Sequence, residues 1–155
     1  MRKAMKKSKK KLLEENHKLR ILLADSVRQD TIVYTSAHEI AKKHKLSFAG
    51  LEVEEFRVML LDTAHKEIQT VTVSKGTLNK SLVHPRETFC AAVRSRAESI
   101  VLMHNHPSGD PTPGDADRAI TKRLKEAGEI LGIRVLDHLI FGGNRWFSFV
   151  DENML

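Results

Sequence analysis

One cysteine, four prolines and eight glycines are few for a chain of 155 residues. With Cys90 alone, no intramolecular disulfide can form and no thiolate zinc cluster can be assembled, so a reducing compartment is expected. So little proline and glycine leaves no room for a long linker. Aromatic residues are scarce as well, with one Trp, one Tyr and six Phe, and no stacking platform for single-stranded nucleic acid is visible. No apolar run approaches the ~20 residues that a membrane span needs. The basic start does not lead into a signal-peptide core either, because Leu12-Leu13 meets Glu14-Glu15 at once. The expectation is a cytoplasmic protein without membrane contact.

What is present reads as one ordinary globular domain: 41% hydrophobic and 30% charged residues. A chain near 150 residues hides roughly 68–70% of its unfolded surface, enough for a core without staples. The net charge of +6 is concentrated at one end. Residues 1–20 hold nine Lys or Arg against Glu14 and Glu15, and the remainder has 17 basic and 18 acidic residues. Residues 1–28 are therefore read as a basic, helical N-terminal arm and 29–155 as the domain. Lys6, Lys7, Lys9, Lys10 and Lys11 are the candidate contacts to DNA; a solvated helix with no partner is the alternative reading of the same charge run.

Within the domain, Ser36 to Lys45 reads as a helix capped by Ser36 with Glu39 three residues on. Val53 to Asp62 and Ile68 to Val73 read as strands joined by a turn. Pro85 opens a helix with Phe89, Ala92, Val93 and Ala97 on one side, and Ser99 to Met103 is short enough for a buried strand. A loop with Pro107, Pro111 and Pro113 follows. Asp115 to Leu131 is the most regular helix, stopped by Gly132, and Ile133 to Phe141 and Arg145 to Val150 read as the last strands. That order gives an α/β fold, a mixed β-sheet flanked by helices.

Chemistry gathers behind the buried strand. His104 and His106 stand at i and i+2, which in extended backbone sends both imidazoles to the same side and toward one ion. Asp117 heads the stripe Asp117, Ile120, Leu124, Ala127 and Leu131, otherwise apolar, and a carboxylate there needs a partner such as a metal. Favouring the N-terminal dipole of the helix is its blander role. In the strand at 53–62, Phe56, Val58 and Leu60 form one apolar face and Arg57 marks the other as wetter. By phase, Glu54 points inward as a candidate general base, and Glu55 pairs with Arg57.

The stretch His104-Asn-His-Pro-Ser-Gly-Asp110, with Asp117 eleven residues after His106, resembles the JAMM metalloprotease motif of MPN/JAB domains. In detail it resembles the bacterial RadC family, and the likeness covers most of residues 30–150. It extends to Glu54 before Phe56, Leu61-Asp62, Gly76-Thr-Leu-Asn79, His84-Pro-Arg-Glu87, Thr121 to Leu124 and Leu136-Asp-His138. The resemblance implies a cytidine-deaminase-like (JAB/MPN) fold, one Zn2+ per chain held by His104, His106 and Asp117, and Glu54 as the base toward the attacking water. It further implies a zinc-dependent hydrolase of peptide or isopeptide bonds, in a family associated by name with DNA repair. The other reading is a weakly catalytic or non-catalytic module that binds protein or DNA in repair or mobile-element function. The helix-hairpin-helix region of longer family members is not found in this sequence, so DNA contact is expected through the arm. One residue departs from the motif: Gly114 stands three before Asp117, where the pattern has a serine whose hydroxyl is thought to stabilise the oxyanion. Ser108, Thr112 or a backbone N–H freed by the glycine are the expected substitutes.

Other patterns lead elsewhere. His104-Asn105-His106 spells the name of the HNH nucleases, but that motif spreads its residues over tens of positions. His38-Glu39 lacks the histidine that a zincin helix needs, since Lys42 stands there, and a deaminase would require Pro-Cys-x-x-Cys. A two-metal nuclease finds no carboxylate cluster. His84 and Arg86 are read as structural at a helix start, with an Arg86 contact to a carboxylate or phosphate near the site as the alternative, and Asp137 and His138 as hydrogen-bonding strand residues, with a role behind the site or toward substrate as the alternative. Cys90 is read as a small core residue, and Trp146 and Phe147 as packing against the sheet.

Overall fold

A computed structural model describes residues 15, 16, 18, 33–76 and 83–155. The lysines proposed as DNA contacts, and Thr77 to Asn79 of the family likeness, lie outside those residues. Contacts divide the chain into Met1–Ile32 and Val33–Leu155. In the first unit Glu15, Asn16 and Lys18 are helical and exposed. The second holds, in chain order, α1 (Ala37–Phe48), β1 (Glu55–Leu61), β2 (Glu67–Lys75), α2 (Pro85–Arg94), β3 (Ser99–Asn105), α3 (Asp115–Leu131), β4 (Arg134–Gly142) and β5 (Arg145–Ser148).

Local chemistry sets the element ends. The Ser36 hydroxyl accepts the Glu39 N–H, and the Glu39 carboxylate turns back to the backbone N–H and hydroxyl of Thr35, so α1 starts from a capping box displaced by one residue. α2 has Pro85 in its first turn and His84 as its cap, with Nδ1 accepting the Arg86 N–H at 3.1 Å. Gly132 ends α3 at φ 68°, the left-handed conformation in which glycine has no Cβ penalty. Between β1 and β2, Asp62 Oδ1 accepts the N–H groups of Ala64 and Lys66 at 2.8 and 2.9 Å, an Asx turn in place of an Asn-Gly hairpin.

The sheet order is β2-β1-β3-β4-β5. Every pair is antiparallel except β3 with β4, and α3 is the crossover that a parallel pair requires. One face carries Phe56, Val58, Leu60, Ile100 and Leu102 against Phe89 and Ala92 of α2 and Leu124 of α3. The other carries Met59, Leu61, Val101, Met103, Leu139 and Phe141 against Ile40, Ala41 and Phe48 of α1. The chain thus has the α/β architecture expected from its sequence, a mixed β-sheet flanked by helices.

Several expectations are corrected by this packing. The face of β1 marked by Arg57 is not wet, because α1 covers it and leaves Met59 and Leu61 buried. Arg57 lies 4.1 Å from the centre of the Phe48 ring and pairs with Glu55 at 2.7 Å, as its sequence position indicated. In α2 the buried side is Thr88, Phe89 and Ala92, with Val93 exposed and Ala97 beyond the helix. Cys90 is exposed, not in the core. In α3 the buried stripe is Asp117, Thr121, Leu124 and Gly128, while Leu131 is exposed. Gly128 belongs to that stripe because a Cβ there would stand 2.4 Å from the Ile133 carbonyl oxygen.

Candidate metal centre

The end of β3 builds the centre. His104 is the last residue but one of the strand, held between Phe56 of β1 and Ile140 of β4, and its side chain is fully buried. His106 follows the strand, and its N–H still reaches the Phe141 carbonyl at 2.8 Å, so the extended geometry persists through both histidines. Their Nε2 atoms lie 3.0 Å apart. Asp117, in the first turn of α3, brings Oδ1 to 3.1 Å from His104 Nε2 and Oδ2 to 3.4 Å from His106 Nε2.

Glu54 completes the group, though not as a strand residue. β1 begins at Glu55, and Glu54 is held just before it by its carbonyl, which accepts the Gly76 N–H at 2.8 Å. Its Oε1 lies 4.0 Å from both Nε2 atoms. Asn105, the residue between the two histidines, fastens both neighbours of Glu54. Its Oδ1 accepts the Glu55 N–H at 2.8 Å and its Nδ2 donates to the Val53 carbonyl at 3.1 Å. Nothing in the sequence marked Asn105 for that task, since it depends on where β1 begins beside β3.

The donor set suits a zinc ion: two imidazoles and one carboxylate, leaving a fourth position for water or substrate. His106 Nδ1 is 2.8 Å from the Asp110 carbonyl oxygen. That oxygen only accepts, so Nδ1 carries a proton and Nε2 is the nitrogen that His106 would offer to a metal. The side chains of His104 and Asp117 are 0% and 7% exposed, those of His106 and Glu54 17% and 19%, so solvent reaches the centre on the Glu54–His106 side. A cleft of about 360 Å³ adjoins it, lined among others by Lys45, Phe48, Asn105, His106 and Gly142.

Charge and burial act differently on each group. Burial favours the neutral forms of His104 and His138 and lowers both pKa values, with Asp117 opposing this at His104. The Asp117 hydrogen bond raises His106. Burial alone would raise Asp117, but the two imidazoles and the Gly114 N–H hold it far below the usual carboxylate range. Away from the centre, burial lowers His44. In the chelator-treated chain, His44, His104 and His138 bind protons more readily unfolded than folded. Their contribution to stability is complete above the unfolded value of about 6.5 and is lost as pH falls below it. Asp117 acts with the same sign at lower pH, while His106 and Asp137, both raised, oppose. Urea midpoints should therefore drop between pH 7.5 and pH 5.5, and a flat or rising midpoint would contradict the burial of these rings.

The remaining candidates are engaged locally. Ser108 is exposed, with its hydroxyl toward the Asp110 N–H, and Thr112 donates its hydroxyl to Asp110 Oδ1. The Gly114 N–H is not freed by the absent side chain, because it donates to Asp117 Oδ2 at 2.7 Å. Arg86 pairs with Glu87 on the surface. Asp137 accepts from Ser148 Oγ, His138 N and Val150 N, tying β4 to the turn after β5. His138 Nε2 lies 2.8 Å from His104 Nδ1, and Thr121 Oγ1 lies 2.6 Å from His138 Nδ1. Thr121 was matched in the sequence only as part of a family stretch.

A family model described as "RadC-like JAB domain" matches residues 34–154. A protein named UPF0758 from Pelobacter propionicus is 50% identical over 122 residues, covering 79% of this chain and 53% of its own length. A UPF0758 protein of Geobacter sulfurreducens is 46% identical over the same length, with the same shares of each chain. One from Symbiobacterium thermophilum is 50% identical over 107 residues, covering 69% of this chain and 46% of its own. The chain thus spans about half the length of these curated relatives.

Proposed function

The chain belongs to the RadC-like JAB domain family, and on that premise we propose that it is a zinc-dependent hydrolase of peptide or isopeptide bonds. The observation that carries the reading is the convergence of His104, His106 and Asp117 with Glu54 at 4.0 Å from both imidazoles. Zinc, when bound by the first three, would supply Lewis acidity toward a water and a substrate carbonyl. Glu54 Oε1 then accepts the proton of the attacking water and returns it to the departing amine nitrogen. Asn105 keeps that carboxylate in reach by gripping both sides of it. Chelator-sensitive cleavage of a fluorogenic peptide and isopeptide panel by the zinc-loaded chain tests this directly.

Gly114 bears on how fast such a reaction runs. The hydroxyl that the motif places there is missing, and one lost oxyanion donor costs roughly 100–1,000-fold in rate. The backbone at Gly114 has an ordinary φ of −84°, and a Cβ there would meet only Asp117 Oδ2, at 3.6 Å. A Cβ is therefore accepted without displacement. Gly114→Ser should raise kcat by about 100-fold at unchanged zinc content; no gain in a metal-loaded variant would remove the oxyanion role from this position. If wild type and Gly114→Ser both hold zinc and neither cleaves, the second reading, a binding module of protein or DNA, takes its place.

The basic arm is proposed as the contact to DNA. Deleting residues 1–20 should weaken binding to duplex DNA and flatten its salt dependence by about 0.9 log unit per phosphate contact removed. Equal affinity and slope in the truncated chain would end that proposal.

A further inference from the structure

We propose that His138 and Thr121 fix the Nδ1 proton of His104, so that Nε2 is the nitrogen left for a metal shared with Asp117 and His106. The inference rests on the reading of His104 as a metal ligand and adds two positioning residues behind it. The direction of each hydrogen bond follows from the one before. Thr121 Oγ1 lies 2.5 Å from the Asp117 carbonyl oxygen, one turn earlier in α3. A carbonyl only accepts, so the hydroxyl proton is committed to it. Toward His138 Nδ1, at 2.6 Å, the same oxygen can then only accept, and Nδ1 must carry a proton.

His138 and His104 are both 0% exposed. The ring nitrogens of His138 meet a hydroxyl and another imidazole, and neither is an anion that would offset a buried charge. The ring is therefore neutral and its Nε2 bare. Across 2.8 Å that Nε2 accepts from His104 Nδ1–H, which leaves Nε2 as the nitrogen of His104 that can bind a metal. His106 reaches the same state by a separate route, through the Asp110 carbonyl. The chain of bonds closes on itself: Asp117 offers its carboxylate to the centre, and its backbone carbonyl anchors the far end of the relay.

The rings are also fixed in place. His138 stacks on Phe149 at 5.0 Å between centroids and meets Phe56 edge-on at 5.6 Å, and Phe56 stacks on His104 at 5.9 Å. Both imidazoles are fully buried beside these rings. The branched Thr121 side chain has restricted rotamers in a helix and bonds readily to the carbonyl four residues back, which makes threonine better suited than a freely rotating hydroxyl.

The test is long-range 1H–15N correlation of the histidine rings in the full chain, with and without zinc, beside zinc affinity by competition with a chromophoric chelator. Wild type without metal should show Nδ1–H on both His104 and His138. Thr121→Val keeps the shape and removes the hydroxyl; it should populate Nε2–H on His138 and weaken zinc binding by about 10–100-fold, and Thr121→Ser should restore both. An Nε2–H signal on His138 in wild type overturns the proposal. So does a folded Thr121→Val that loses thermal stability but keeps wild-type tautomers and zinc affinity. The wild-type ring signals need no variant, so a Thr121→Val that fails to fold leaves the test intact. A wild type that takes up no zinc overturns the metal reading, and the tautomers then still decide the relay.

Discussion

Glu54→Gln should lower kcat by roughly 10²–10⁴-fold while leaving zinc content at the wild-type level. Glutamine keeps the length and the oxygen of glutamate but cannot take up a proton, so the variant separates proton transfer from packing. Metal retention is expected because Glu54 stands at 4.0 Å from both imidazoles, whereas Asp117 stands at 3.1 and 3.4 Å. The hydrogen bonds that Asn105 makes to either side involve backbone atoms and survive the substitution. Elemental analysis and turnover measured on one sample decide between three outcomes. Zinc kept and turnover lost supports a base. Zinc lost as well would make Glu54 a ligand, and unchanged turnover would remove it from the mechanism.

Zinc content near one per chain in wild type should fall to background in a His104→Ala/His106→Ala variant. Removing both imidazoles leaves Asp117 as the remaining member of the proposed set, and one carboxylate does not hold zinc against water. The two substitutions differ in their cost to the fold. His104 is fully buried, and its loss leaves His138 Nε2 without a partner, a penalty of about 1–3 kcal/mol. His106 is partly exposed, so His106→Ala alone is the variant that keeps the fold safest. A melting curve beside the metal assay separates loss of the ion from loss of structure. Wild-type protein that is folded and takes up no zinc even when it is supplied would turn the whole reading toward a binding module.

The sequence carried much of the architecture because the signals were local. Asp115 and Gly132 bracket α3, Pro85 starts α2, and the i, i+2 spacing of His104 and His106 needs only extended backbone to converge. Glu54 was singled out by strand phase, yet β1 starts one residue later, and backbone contacts to Gly76 and Asn105 hold it in place. What remained invisible depends on registers between distant segments. Thr121 meets His138 only because α3 crosses over to bring β4 parallel to β3, and Asn105 meets Val53 and Glu55 only through the β1–β3 pairing. Cys90 shows the opposite failure: a ten-residue helix with mixed composition does not reveal which side faces out.

The origin of the centre in three separate stretches of chain also bears on time. Before the sheet forms, an ion can meet His104 and His106 together, because they are neighbours in sequence. Asp117 joins only once α3 is docked, and Glu54 approaches only once β1 lies against β3. On the proposed metal reading, the protein donors open to an ion would rise from two to three as α3 docks. A cobalt ion, whose spectrum reports its coordination, would read that step as a clock.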